Sequence, residues 1–417
     1  MPFHSHTLPN GLQIIGETSP MARSVALGFF VRTGARDETP EVAGVSHFLE
    51  HMVFKGTPRR SALDVNRDFD SIGADYNAFT SEENTVFHAC VLPEYLPPVV
   101  DLLADILRPS LRQEDFDTEK KVIIEEIGMY EDQPMYSAYE HAKQLYFADH
   151  KLANSILGTP QSITALSREQ MQAYFDRRYV APNVTVVVAG RFEWPALVDL
   201  VQRHCGGWGA GPVGRDCLRE APGSGRFALK TKEKVTQEHV IQMSPGPGAD
   251  SPLRHAADLL GMAVGDDSGS RLYWALVDPG LADSAECSFH EYEATGAFYT
   301  SFSCEPEQAA ENLAVVHDVL GRVRREAITE EELNQARNKI LSRVVRASER
   351  PRGRMMAVGM AWTYQHEYRS VDDDLRAYEA VTLSKVREVL DRYPLDAVTT
   401  FALGPLADLN PPPNGRA

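Results

Sequence analysis

His47-Phe48-Leu49-Glu50-His51 lies in a stretch from Gly44 to Phe54 that reads as a helix stopped near Gly56 and Pro58. Two imidazoles four residues apart on a helix sit one turn above each other and can share a metal ion. A carboxylate beside them can take a proton from a water that the metal activates. At about 100° per residue, His47, Glu50 and His51 fall within roughly a quarter of the circumference. Val45, Phe48, Leu49 and Met52 fall on the opposite side, so one face suits a core and the other suits polar chemistry. The spacing is H-x-x-E-H, the reverse of the zinc-binding H-E-x-x-H.

Zinc in a catalytic site needs a third protein ligand. The helical pattern Glu114 to Glu131, closed by Pro134, carries the best donors. Glu119 and Glu126 are two helical turns apart on one stripe, with Val122 and Ile123 beside them, and Glu125 falls off it. Carboxylates among apolar neighbours need a cation or hydrogen bonds to compensate them. A metal and an imidazole N–H would serve; so would pairing with Arg or Lys, which the periodicity leaves equally open.

The 417 residues exceed one compact core, and two domains of about 200 residues each are expected. A net charge of −17 argues against nucleic acid and anionic membrane surfaces as partners and favours neutral or basic substrates. No run approaches the roughly 18 apolar residues of a spanning helix, and the start lacks a basic-then-apolar export signal. The five cysteines, an odd number without C-x-x-C spacing, are expected to be reduced; Cys205 and Cys217 are the one candidate pair. Together these features point to the cytoplasm.

Outward from the helix, Leu12 to Gly16, Ser24 to Thr33 and Val184 to Ala189 read as strands. Tyr76 to Leu92 reads as a strand pair or one long strand, and Ser61 to Ile72 and Leu96 to Leu107 as helices. The Gly- and Pro-rich residues around 211–226 read as a linker between domains 1–210 and 227–417. After it the style repeats: strands at Phe227 to Lys230, Glu238 to Met243, Ala285 to Cys304 and Ala397 to Leu403, with helices at Ser251 to Val264, Glu307 to Glu326 and Glu330 to Val345. The expected fold is α+β: two related domains, each a mixed, mostly antiparallel sheet with helices packed on it. The second half has no H-x-x-E-H.

The segment Val45 to Thr57, preceded by Val31-Arg32-Thr33-Gly34-Ala35-Arg36-Asp37-Glu38, resembles the pitrilysin-type zinc peptidases, or inverzincins. That family includes insulin-degrading enzyme and the mitochondrial processing peptidase. Glu119 to Ile127 and Tyr76-Asn77-Ala78-Phe79-Thr80 match it too. The resemblance implies Zn2+ held by His47, His51 and Glu126, Glu50 as general base, and Glu119 as a supporting carboxylate that orients an imidazole. It implies that Asn77 holds a substrate carbonyl and that the Ala78 backbone pairs with an added substrate strand. It further implies a clamshell of four such domains, of which this chain is half, hence a homodimer or a heterodimer with a related chain around a peptide substrate.

One departure stands out. Family members complete the site with an Arg and a Tyr from the second half, and here Leu276 and Asp283 occupy those positions. Either a sister chain supplies the pair or other donors replace it. The competing expectation is a non-peptidase assembly subunit, and a weaker one a metal hydrolase acting on something other than peptides. The remaining histidines, among them His88, His141, His150, His239 and His290, lack ligand spacing, and the run Arg343 to Arg354 reads as a solvated face or a partner contact.

Overall fold

The computed structural model describes residues 1–215 and 225–410, so Cys217 and the centre of the 211–226 stretch lie outside the described residues. Cys90, Cys205, Cys287 and Cys304 are free thiols. Two compact units form, each on one sheet.

The first unit comprises Met1–Ile127, Asn154–Asp216 and Val345–Val371. Its strands are β1 (Phe3–Thr7), β2 (Gln13–Thr18), β3 (Val25–Val31), β4 (Asp75–Thr80), β5 (Thr85–Val91) and β6 (Val184–Gly190), in the spatial order β1-β2-β6-β3-β5-β4. Only β2 and β6 run parallel. Every residue of β3, VALGFFV, is buried because helices cover both faces of the sheet. Ala26 and Phe30 pack with Ile15, Val187, Met355 and Val358 under the Pro351–Gln365 helix. The strand period of two leaves Leu27 and Phe29 for the other face, where the Val45–Val53, Leu96–Ile106 and Trp194–Cys205 helices pack. β4 is an edge strand.

The second unit comprises Gly128–Ala153, Cys217–Val344 and Asp372–Ala417. Its strands are β7 (Phe227–Thr231), β8 (Glu238–Gly246), β9 (Ser284–Tyr292), β10 (Thr295–Cys304) and β11 (Thr399–Gly404), ordered β7-β11-β8-β10-β9. Again one pair, β7 and β11, is parallel. In chain order, β7 to β11 repeat β2 to β6 in position and direction, which is the duplication the sequence suggested. Leu260, Val316, Ile340 and Val389, one from each of four helices, build the core on one face. Ala138, Ala142 and Tyr146 of the Pro134–Phe147 helix cover Ile241, Met243 and Phe401 on the other.

The units are not the contiguous halves 1–210 and 227–417. Pro134–Phe147, early in the chain, covers the later sheet, and Pro351–Gln365, late in the chain, covers the earlier one. An apolar helix stripe demands cover but does not name the sheet that gives it. Pro134, expected to close the preceding helix, also opens this one at its first position, where its missing N–H costs nothing. Tyr76 to Leu92 resolves into the pair β4 and β5.

The repeats diverge at the helix that follows their second strand. Arg254–Gly265 lies so close to β9 that Gly265 bridges Cys287, and a Cβ on Gly265 would come within 1.9 Å of the Cys287 nitrogen. In the first unit, the Glu50 side chain of the Val45–Val53 helix meets the Thr80 hydroxyl of β4 instead.

Candidate metal centre

The Val45–Val53 helix begins at Gly44, which is left-handed (φ +90°). A Cβ there would approach the Leu157 carbonyl oxygen to 2.6 Å. The Glu38 carboxylate accepts the Gly44 and Ser46 N–H groups at 2.6 and 2.8 Å, satisfying donors that a helix start leaves open. Burial pushes the Glu38 carboxyl up to about 8 against those two bonds. The Ser46 hydroxyl meets the Tyr174 hydroxyl at 2.8 Å, which meets that of Thr33 at 2.7 Å. Gly44→Ala is therefore expected to lower stability by about 1–2 kcal/mol from the left-handed backbone alone, read as a lower urea midpoint.

From that start, Val45, Phe48, Leu49 and Met52 are buried as their spacing predicts. Phe48 stacks on Phe116 at 4.9 Å between centroids, which fixes the Gln113–Glu131 helix alongside. Across this contact the His47, His51 and Glu126 donor atoms come within 4.8 Å of one another. A Glu126 oxygen lies 3.8 Å from His47 Nε2, and the other lies 3.4 Å from His51 Nε2. Among the described residues no other trio of His, Cys, Asp or Glu is so placed.

Glu119, one of the buried carboxylates, holds the far side of His51. It lies 2.9 Å from His51 Nδ1 and 2.5 Å from Lys55 Nζ. Burial pushes the Glu119 carboxyl up, but the bonds from His51 and Lys55 outweigh it and hold it below the usual range. A carboxylate there makes Nδ1 the protonated nitrogen and leaves Nε2 free to face Glu126. Burial works against charge on His51, yet its bond to Glu119 and the charges of Glu126, Glu119 and Glu50 raise its pKa. His47 has no such partner: burial, and then the nearby His51, drive it down to about 3, so it stays neutral with a lone pair available.

These residues fit a zinc ion. Two imidazoles and a carboxylate are a donor set zinc takes. The buried Glu126 Oε2 has no hydrogen bond, a deficit a cation would remove. Glu50 lies beside the trio, its Oε2 accepting the Thr80 hydroxyl at 2.6 Å. Burial raises its pKa, opposed by the Thr80 bond.

Other expectations fared differently. Val122 is 43% exposed, so only Ile123 of the apolar pair flanks the carboxylates inside; Val122 sits on the rim of the stripe. Asn77 is exposed on β4, and its Oδ1 accepts the Ala78 N–H at 2.9 Å. Leu276 is fully buried in the second core, and Asp283 accepts a hydrogen bond from Gln237, so neither offers a cation or a phenol. The arginine run is neither uniformly solvated nor unpaired: Arg343 pairs with Asp266, Arg352 with Asp75, and the buried Arg354 with Glu17. Lys55 and Thr80 lie within Val45 to Thr57 and Tyr76 to Thr80, but the motif gives neither a role; the structure puts Lys55 on Glu119 and Thr80 on Glu50. The spacing held a signal for Lys55, which extends the His47, His51 stripe by another four residues.

The description "Insulinase (Peptidase family M16)" matches residues 13–160, and "Peptidase M16 inactive domain" matches residues 165–340. A Mycobacterium tuberculosis protein named "uncharacterized zinc protease" is 35% identical over 389 residues, 92% of this chain and 89% of its own length. The peptidase M16 inactive domain from Pseudomonas fluorescens superposes with TM-score 0.91 at 17% identity, covering 99% of this chain and 100% of that one. A Helicobacter pylori protease gives 0.89 at 20% identity, over 97% and 99%. These two structures speak to the fold alone. With a family match spanning the helices that carry His47, His51 and Glu126, and identity sustained along the chain, this protein belongs to the M16, or insulinase, family of peptidases.

Proposed function

We propose that this protein is a zinc-dependent endopeptidase with Glu50 as its general base. One observation carries the reading: His47, His51 and Glu126 converge on one point, with the restrained Glu50 carboxylate beside them. A bound zinc ion supplies Lewis acidity, making a water nucleophilic near neutral pH. Glu50 takes the proton of the attacking water and delivers it to the departing amine nitrogen. Glu119 holds the His51 ring; Glu119→Gln is expected to weaken zinc binding by about 10- to 100-fold, measured by competition with a chelator.

The open edge of β4 suits an extended peptide added as a further strand. Because the Ala78 N–H is engaged by Asn77, an incoming strand takes over that bond and releases the Asn77 amide to bind a substrate carbonyl. Hydrolysis inside a dimeric chamber, in the cytoplasm, completes the proposal. Buried Leu276 and engaged Asp283 favour a second form of it, in which a related partner chain brings the Arg and Tyr that stabilise the oxyanion. A pure assembly subunit would have little use for a metal-ready trio.

Purified protein is expected to carry about one zinc per chain and to cleave a peptide library, alone or with a co-purifying chain. No stoichiometric zinc would turn the reading towards an assembly subunit. Full activity of the isolated chain would remove the need for a partner.

A further inference from the structure

We infer that Thr80 is a positioning residue for Glu50, which makes the edge strand β4 part of the machinery that aims the base; this rests on Glu50 being that base. Along β4, exposed Asp75, Asn77 and Phe79 alternate with half-buried Tyr76, Ala78 and Thr80. Tyr76 anchors the inward face. It stacks on Phe69 at 3.8 Å between centroids and meets Phe54 at 6.1 Å. Thr80 continues that face, and its hydroxyl donates to Glu50 Oε2 at 2.6 Å.

The donor is rigid. Thr80 pairs with Thr85 across the sheet. The next residue is tied into the turn, with Ser81 N–H on the Asn84 carbonyl at 2.8 Å and the Ser81 hydroxyl receiving the Asn84 N–H at 3.0 Å. A β-branched side chain on such a strand has few χ1 choices, so the backbone sets where the hydroxyl points. The acceptor is the opposite case: a glutamate with three rotatable bonds, close enough to His51 and Glu126 to feel both. Thr80 therefore selects one orientation among several, occupying Oε2 and leaving Oε1 for the proton in transit. A reacting group displaced by about 1 Å can lose on the order of 100-fold in rate. Since the strand that would receive the substrate is also the strand that holds the base, the two are registered by one covalent segment.

The test compares Thr80→Val, which keeps the shape without the hydroxyl, with Thr80→Ser, which keeps the hydroxyl. Both are assayed in whatever assembly hydrolyses peptide, with Glu50→Gln in parallel. Expected for Thr80→Val is a kcat lower by about 10- to 100-fold, with KM and chelator-measured zinc affinity each within about threefold and the protein still folded, its melting midpoint lowered only as the loss of one hydrogen bond to a buried carboxylate requires. Thr80→Ser is expected to recover most of kcat. Thr80→Val with wild-type kcat, a serine variant as impaired as the valine one, or loss of zinc from Thr80→Val would each overturn the assignment. A fully active Glu50→Gln would instead strike the underlying reading of the base.

Discussion

Glu50→Gln is expected to lower peptide hydrolysis by about 100- to 10,000-fold, the usual scale of a lost general base, while the variant still binds about one zinc. The two effects separate because Glu50 is not among the residues that converge on the metal position. Glutamine matches glutamate in shape, and its carbonyl oxygen can accept the Thr80 hydroxyl as Oε2 does. What it lacks is a lone pair basic enough to take a proton. Stability should hold or rise, since burial already works against the ionised form of Glu50 and an amide avoids that cost. A variant that is inactive, zinc-loaded and at least as heat-stable as wild type is the expected result. Retention of full hydrolysis with zinc bound would remove Glu50 from the mechanism.

The site was legible in the sequence to the extent that it rests on helical periodicity. His47, Glu50 and His51 share a face because of a 3.6-residue period, and the buried Val45, Phe48, Leu49 and Met52 obey the same arithmetic. Glu119 and Glu126 follow it along the neighbouring helix, although periodicity left open whether they face a metal or a basic residue. The structure separates the two: Glu126 joins His47 and His51, while Glu119 bridges the His51 ring and the basic Lys55. Contacts between elements distant in the chain were not readable. Thr80 reaches Glu50 from a strand thirty residues away, and Tyr174 reaches Ser46 across 128. The same blindness explains the exchanged helices. Pro134–Phe147 and Pro351–Gln365 advertise apolar stripes, but only three-dimensional packing decides that each covers the sheet built largely by the other half.

His47→Leu is expected to abolish zinc binding and hydrolysis, yet to leave the metal-free fold more stable than metal-free wild type in acid. His47 is buried, and its Nδ1 has no hydrogen-bond partner, so in the absence of metal the imidazole contributes desolvated polarity and little else. Its folded pKa of about 3 lies below the ordinary value of about 6.5. The unfolded chain therefore binds a proton that the fold refuses. The stability this gives is present above about pH 6.5 and drains away as pH falls through that window towards 3. Integrated over the whole window the loss is on the order of a few kcal/mol. His51 pulls the other way. Its raised pKa gives stability that is present below its unfolded value and lost as pH rises through the folded one, so the metal-free wild type feels the two slopes opposed. Leucine deletes the His47 slope alone. Zinc reverses the ranking: a ligand at a thousand times its dissociation constant adds about 4 kcal/mol to the form that binds it, and only wild type can bind. Urea melts at pH 7 and pH 5, each with zinc and with a chelator, should show wild type ahead with metal and the leucine variant ahead without it at pH 5. Stoichiometric zinc in the variant would remove His47 from the metal centre. Identical acid sensitivity of the two metal-free proteins would show that His47 is not the proton-refusing group its burial implies.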